Sequence, residues 1–203
     1  AQIWTRLREN DKKYVNLMYD RVKKIAEAAS MMANVDYEMQ LISGIYEIIP
    51  NRFGAAIIQD NFKILGEIKY TDSEVNYANT ILRETGKELK GLDGKIKPIK
   101  PTLPAQGGST DVGDVSQVVP VVRLSTTTAA KDGPWHSWAV VACTGMSIGH
   151  KGMIYATKAL AMTMLDLYKN PKLIDGVKKE FLERKGDKVY VPQIPPGPPR
   201  LVD

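Results

Sequence analysis

The longest helical pattern of the chain is IGHKGMIYATKALAMTMLDLY, at residues 148–168. Apolar residues recur in it at intervals of three and four, as they do along one side of an α-helix. Asn170-Pro171 ends the pattern, because proline cannot continue a helix. The apolar stripe includes Met153, Ile154, Ala156, Leu160, Met164, Leu165 and Tyr168. The sequence therefore predicts its most regular helix at this place.

Four more helices are predicted from capping residues and periodicity. Asn10 or Asp11 can cap the first of them, and Thr71 with Glu74 matches the capping box of the third. Recurring apolar residues give the first helix one stripe that we expect to be buried. The four helices cover about residues 11–33, 52–65, 72–85 and 171–185.

Four segments have the character of β-strands. Residues 2–8 and 35–48 alternate apolar and polar side chains, and residues 118–124 and 138–143 are short apolar runs. Strand, helix and strand over residues 1–50 make half of a ferredoxin-like unit, whose sheet is left unfinished. We therefore expect an α/β fold in a chain that begins in the middle of a domain. The alternative is a trimmed terminus on a complete protein.

The composition is that of an ordinary folded domain. The 203 residues fit one domain or two small ones, with 43% hydrophobic residues for a core. The net charge of +5 comes from lysines scattered among acids, which argues against a nucleic-acid groove. One cysteine suits a reducing compartment, and no apolar run reaches the roughly 18 residues of a membrane span. We expect a cytoplasmic protein with neither nucleic acid nor membrane as a partner.

Acids, hydroxyls, glycines and both histidines of the chain are concentrated between residues 107 and 153. The three motifs are GGSTDVGDVS at 107–116, WHSW at 135–138 and SIGHKGM at 147–153. A chain that has two histidines and places both in one segment rich in glycine and aspartate is predicted to build a polar site there.

These motifs resemble the zinc-dependent aminoacylase and carboxypeptidase-like amidohydrolases, in their p-aminobenzoyl-glutamate hydrolase-like branch. The likeness is carried by residues 109–116, Val119-Pro120, His136-Ser137-Trp138, Gly149–Met153 and Ala156–Ala159. The resemblance implies the C-terminal part of a zinc-peptidase-like α/β catalytic domain over residues 51–203. It also implies that residues 1–50 are the second half of a ferredoxin-like lid, through which such enzymes form homodimers.

The resemblance implies hydrolysis of an amide bond next to a carboxylate-bearing amino acid. One or two divalent ions, zinc or manganese, polarise the carbonyl and activate a water, and a glutamate acts as the general base. This chain contains no His-x-Asp and no Glu-Glu pair in a suitable context. We therefore expect no catalytic residue here, and an N-terminal portion of the same enzyme as companion chain or missing segment.

His136 is the metal ligand that the resemblance implies, since a His-Ser motif closes the metal site in the family pattern. A neutral imidazole is a natural ligand for zinc. The residues by themselves favour a core histidine bonded between two tryptophans. His150, at the start of the long helix, either lines the site or packs. Gly149 and Gly152 are expected to let that helix approach another backbone closely.

Asp111 and Asp114 are three residues apart, so both carboxylates can face the same side of a helical turn. They either orient a ligand histidine or water or cap a helix N-terminus, and Ser109 has the same two interpretations. Asn51 or Arg52 could hold the substrate carboxylate, as lid residues of relatives do. A plain Pro-Asn turn is the simpler interpretation.

Three functions remain open on the sequence. The first is the C-terminal segment of a metal-dependent amidohydrolase acting on N-acyl amino acids or dipeptide-like substrates. The second is a non-catalytic regulatory or partner subunit on the same scaffold, which the incomplete ligand set favours. The third is an α/β interaction domain whose half-lid pairs with a partner sheet.

Overall fold

Helices make up the regular structure of the described residues. The computed structural model describes residues 1–100, 108–194 and 196–198. Seven helices are found there: α1 (Lys12–Ala33), α2 (Arg52–Leu65), α3 (Asp72–Glu84), α4 (Val112–Val118), α5 (Trp138–Thr144), α6 (Ser147–Lys169) and α7 (Pro171–Lys185).

The described residues divide into two compact units. The first unit draws on Ala1–Pro50, Thr102–Val121 and Phe181–Asp203, and the second on Asn51–Pro101 and Val122–Glu180. The assignment of residues 1–50 to a lid and 51–203 to a catalytic domain stays a prediction.

The helix ends follow local sequence signals. Asp11 caps α1 by accepting a hydrogen bond of 2.8 Å from the Lys13 amide. Thr71 and Glu74 form the predicted capping box of α3. Gly66 ends α2 with a φ of 73°, a conformation that glycine adopts without steric cost. The five predicted helices are confirmed to within one residue at each end.

The predicted α/β fold is wrong for the described residues, which contain no β-strand. A zinc-peptidase-like α/β domain and a ferredoxin-like lid both need sheets, and a strand exists only where a neighbour pairs its main-chain groups. Residues 2–8, 35–48 and 119–124 have no regular secondary structure. Residues 138–143 lie in α5 and not in a strand. The prediction was wrong here because an apolar run of six residues has no periodicity that distinguishes a strand from a helix.

Residues 46–49 show where main-chain groups go instead of a sheet. Polar side chains of α4 bind them, at 3.2 Å from Tyr46 N to Asp114, 2.9 Å from Ile49 N to Ser116 and 2.8 Å from Gln117 to Glu47 O. A Cβ on Gly113 would lie 1.9 Å from the Tyr46 carbonyl oxygen, so only glycine permits this approach. The segment is thus fixed onto a helix, which satisfies its buried backbone.

The buried stripe predicted for α1 is also wrong, since none of its residues is buried. Val15, Met18 and Val22 are half-buried and Ile25 is exposed. A sheet in the first unit would have covered this stripe, and the described residues of that unit form no sheet.

The second unit is built around α6, which packs on α2 and α5, while α3 packs on α5. Asn61 of α2 is buried and donates hydrogen bonds of 3.1 Å to Thr163 and 2.8 Å to Asp166 on α6. The apolar core consists of Ala78, Ile81, Leu82, Ala130, Ala139, Cys143 and Ile148. Among the described helices, none combines the length and apolar character needed to cross a bilayer.

The glycines of α6 provide the close backbone approach that the sequence predicts. A Cβ on Gly152 would lie 2.3 Å from the Thr127 carbonyl oxygen, and one on Gly149 would lie 2.1 Å from that of Thr144. Both distances are far below van der Waals contact, so any side chain forces the backbones apart.

We expect Gly152→Ala to lower the free energy of unfolding by about 1–3 kcal/mol, as overpacked sites do. The loss occurs although alanine is the better helix former by about 1 kcal/mol. Gly108→Ala is the control, because nothing lies within 4 Å of its added methyl group. Urea unfolding measures both variants, and wild-type stability of Gly152→Ala would contradict the close approach.

Candidate functional site

His136 lies in an exposed turn immediately before α5. Ser137 closes this turn, because its hydroxyl donates to the Pro134 carbonyl at 2.6 Å and accepts from the Ala139 amide at 3.3 Å. Trp135 and Trp138 are exposed as well. The alternative of a core histidine between two tryptophans is therefore wrong. No described residue hydrogen-bonds to the His136 ring, so its nitrogens are open to a ligand.

The backbone of His136 is left-handed, with a φ of 57°. Non-glycine residues are uncommon in this region, where strain amounts to about 1–2 kcal/mol. Strained positions of this kind gather at functional sites. Asn34 and Asp132 have the same left-handed backbone, so the conformation has a cost in stability at His136 and its role as a ligand stays a prediction.

His150 is exposed in the first turn of α6. Neither histidine side chain has a hydrogen-bond partner within the described part of the chain. Lys151, the residue after His150, does have partners: its ammonium group donates to the Glu74 carboxylate at 2.6 Å and to the Lys69 carbonyl at 3.0 Å.

Glu74 is the centre of the strongest polar cluster in the second unit. Only 8% of its surface is exposed, and it accepts hydrogen bonds from Lys151, from Ser147 at 2.7 Å and from the Thr71 amide at 2.7 Å. Hydrogen bonds from Lys151 and then from Ser147 lower the pKa of Glu74 from 4.5 to about 2, against the opposing effect of burial. The carboxylate therefore ties the start of α3 to the start of α6.

Sequence reasoning missed this cluster. It found Thr71 and Glu74 as a capping box, but Lys151 lies 77 residues from Glu74 in the chain. The one local signal is that Ser147 and Lys151 are four residues apart, and so share a helix face.

Asp114 belongs to the first unit, where both of its carboxylate oxygens are engaged. One accepts from the Tyr46 amide at 3.2 Å and the other from the Tyr190 hydroxyl at 3.1 Å.

Burial, and then the hydrogen bond to Asp114, raise the pKa of Tyr190. Burial also lowers the pKa of Lys12, although Asp114 and Glu47 oppose this effect. Asp114 therefore anchors residue 46 and the Tyr190 ring.

Asp111 and Ser109 are exposed in the same unit. Asp111 occupies the N-cap position of α4 but makes no side-chain cap. Thr110 accepts from the Val112 amide at 3.3 Å instead. The capping interpretation is therefore wrong for the Asp111 side chain, while the proposed support of a ligand stays a prediction.

Asn51 is the N-cap of α2 and is buried. Its side-chain oxygen accepts from the Gly54 amide at 2.8 Å, and its amide group donates to the Val177 carbonyl at 2.7 Å. Binding a substrate carboxylate would require one of these bonds to open. Arg52 is exposed and donates only a long bond of 3.4 Å to the Lys100 carbonyl, so it is the more available of the two.

The predicted site residues do not gather into a metal centre within the described residues. Nowhere in that part of the chain do three or more His, Cys, Asp or Glu side chains lie close enough to hold an ion. Ser109, Asp111 and Asp114 belong to the first unit, and Asn51, Arg52, His136 and His150 to the second. The metal site at His136 therefore stays a prediction.

Two relatives are similar to the chain. It is 27% identical over 220 residues to one of the subunits of p-aminobenzoyl-glutamate hydrolase from Escherichia coli (strain K12), covering 96% of this chain and 46% of that protein. It is 37% identical over 79 residues to the Xaa-Arg dipeptidase of Mus musculus, covering 39% of this chain and 18% of that protein.

The chain thus spans about half the length of the first relative and about a fifth of the second. No protein-family model matches the chain, and no solved structure does. The matches confirm the resemblance to amidohydrolases of the aminobenzoyl-glutamate hydrolase type that the motifs at residues 109–153 predicted.

The lowered pKa of Glu74 predicts a pH-dependent contribution to stability. A depressed carboxyl pKa stabilises the fold above the unfolded value near 4.5 and ceases to do so as the pH falls towards 2. We expect Glu74→Gln to lose on the order of 2 kcal/mol at pH 7 and to approach wild type near pH 2. Denaturant unfolding between pH 7 and 2 measures this difference.

Glu84→Gln is the control for this measurement, because Glu84 is an exposed acid on the same helix. It should keep wild-type stability throughout. A deficit of Glu74→Gln that stays constant down to pH 2 would refute the assignment of the stabilisation to the ionised carboxylate.

The left-handed turn predicts that His136→Gly is more stable than His136→Ala by about 1 kcal/mol, because alanine keeps the steric cost that glycine avoids. Both variants lack the imidazole, so the difference isolates the backbone. Thermal unfolding of the two proteins checks it, and equal melting temperatures would show that the turn is unstrained.

Proposed function

We propose that this chain is the C-terminal segment of a metal-dependent amidohydrolase that cleaves the amide bond of N-acyl amino acids or dipeptide-like substrates of the aminobenzoyl-glutamate type. The names of both relatives, one from a hydrolase and one a dipeptidase, support the reaction class. The single observation that carries the proposal in this chain is the exposed imidazole of His136 in the motif at residues 135–138, which has no hydrogen-bond partner among the described residues.

The metal would be one or two divalent ions, zinc or manganese, whose chemistry is to polarise the scissile carbonyl and lower the pKa of a bound water. An imidazole suits either ion. His136 fits the part of a single ligand, since its ring is exposed and bonded to none of the described residues. The other ligands and the general base belong to a companion polypeptide, because the described residues hold no group of three donors.

The other predicted site residues of this chain would bind the substrate or orient the metal ligands. Arg52 offers a guanidinium group for the substrate carboxylate, which it can hold in a two-pronged pair, with Asn51 beside it in the sequence. His150 would line the site as a second exposed imidazole. Ser109, Asp111 and Asp114 would support ligands or water. Assembly as a homodimer through residues 1–50 and a cytoplasmic location are part of the same proposal.

A second function is favoured by one observation. Because the described residues hold no complete donor set, the chain also fits a non-catalytic regulatory or partner subunit on the same scaffold. The two functions differ in what His136 does: in the enzyme its removal takes away metal, and in the regulatory protein it changes neither metal content nor turnover.

The test is hydrolysis of p-aminobenzoyl-glutamate and metal content, both measured on the native assembly that contains this chain. We expect His136→Ala and His136→Gly each to lower kcat/KM by at least about 100-fold, because even groups that only support a ligand are worth 10–100-fold. Both variants should lose bound metal, although their stabilities differ. Loss of activity in both thus separates ligand removal from unfolding.

Asn34→Gly is the matched control, because Asn34 is another left-handed residue, at the end of α1. It should keep full activity and metal. Full turnover and full metal content in both His136 variants would overturn the proposed ligand and leave the regulatory protein as the better interpretation.

A further inference from the structure

Helix α6 is apolar on two opposite sides. The side that packs within its unit is made mostly of small residues: Ile148, Gly149, Gly152, Ala159 and Thr163 are buried. The other side carries large apolar side chains that are exposed, with Met164 at 69% and Tyr168 at 87%. This outer face, called the α6 outer face below, consists of Met153, Ile154, Leu160, Met164, Leu165 and Tyr168.

The spacing of these residues makes the outer face continuous. Successive members are one, six, four, one and three residues apart. At about 100° per residue all six lie within roughly 140° of the helix circumference, along one side. From residue 153 to residue 168 the face extends about 22 Å, at about 1.5 Å per residue. It coincides with the apolar stripe predicted from the sequence, which the described residues of the unit leave uncovered.

Charge is nearly absent from this surface. Only Lys158 and Asp166 are charged between residues 153 and 168, and Asp166 is turned inward, where it accepts from Asn61. A helix that is apolar on two opposite sides is typical of one covered on both, as in the core of a larger protein. The α6 outer face therefore calls for another apolar surface packed against it.

The neighbouring helix α5 adds to the exposed apolar surface. Its Trp138 and Val141 are exposed although the helix packs on α6 through Ala139 and Cys143. Large apolar side chains exposed on two packed helices are typical of a surface that binds another protein. Its poverty in charge is typical of permanent interfaces, which resemble a domain core cut in half.

The relatives indicate what covers the surface. The match includes 96% of this chain but only 46% of the Escherichia coli relative, so in that protein the matched segment is joined to a longer stretch of other polypeptide. Such a stretch has an effective concentration at the matched segment that no second copy or passing protein reaches. It is therefore the occupant that the observations favour over a second copy of this chain.

We propose that the α6 outer face is the docking surface for a polypeptide homologous to the part of the Escherichia coli relative that this chain does not match. The inference rests on the companion polypeptide of the proposed function, and names the surface that receives it. Since His150 lies in the first turn of the same helix and is exposed, the docked polypeptide would extend close to a predicted site residue.

The experiment is photo-crosslinking in cells that make the native assembly. Tyr168 is replaced by p-benzoylphenylalanine, which keeps the aromatic ring, and Tyr14 on α1 receives the same substitution as the control. After irradiation, mass spectrometry identifies the peptides joined to each position. We expect peptides that align with the unmatched part of the Escherichia coli relative at position 168, in at least tenfold excess over position 14. A second probe at Met164 guards against one unproductive position.

Every other result overturns the proposal. Adducts of positions 164 and 168 with a second copy of this chain would make the surface a dimer interface. Adducts with a protein unrelated to the Escherichia coli relative, or none at either position, would also remove the assigned occupant. Hydrolysis of p-aminobenzoyl-glutamate, assayed on the same material, separates the two claims. If the expected adduct forms but the material does not hydrolyse the substrate, the docking surface is supported and the proposed enzyme function is refuted. If the material hydrolyses the substrate but the adduct does not form, the enzyme function is supported and the docking surface is refuted.

Discussion

The close approach of α6 to its neighbours is the constraint on which the second unit depends. Gly149 and Gly152 bring the helix so near the Thr144 and Thr127 carbonyls that no side chain fits between them. Polar bonds from Asn61 to Thr163 and Asp166 then fasten α2 to the same helix. Small residues therefore occupy the inner side of α6, and its large apolar residues are left on the outer side.

Carboxylates fix distant segments in both units. Glu74 joins the starts of α3 and α6 in the second unit, and Asp114 joins residue 46 to Tyr190 in the first. In each case both carboxylate oxygens accept hydrogen bonds within the chain. Asp114, which the motif offers as support for a ligand, thus also serves folding. The imidazoles of His136 and His150 remain open to solvent, with no hydrogen bond from any described residue.

Helices could be predicted from the sequence because their signals are local. Asp11, Gly66 and the Thr71–Glu74 pair each act within four residues of a helix end. Strands could not, because alternation shows only that a segment is suited to a sheet and says nothing about whether a neighbour pairs with it. Residues 46–49 illustrate this: their partners are side chains on α4, about 70 residues away in the chain.

The candidate site, like the fold, could be predicted only where its signals are local. The motif at residues 135–138 singled out His136, but its left-handed backbone and exposed ring depend on a turn closed by Ser137 and Pro134. The Glu74–Lys151 bond joins residues 77 apart and carries no signature in the sequence. Motifs therefore located the candidate ligand, while the contacts that decide which acids are free to support it are non-local.

The exposure of His136 has a consequence for how the proposed chemistry could work. Metal-activated water needs a shaped, water-excluded cavity as well as ligands, and a turn flanked by exposed Trp135 and Trp138 provides no such wall. Covering polypeptide would have to supply the cavity and the missing donors together. The α6 outer face needs covering for an independent reason, its uncompensated apolar surface. Under the proposed function the same companion polypeptide would cover the α6 outer face and supply the missing metal ligands. Docking and completion of the metal site would then be one event, and the chain would not catalyse hydrolysis before it.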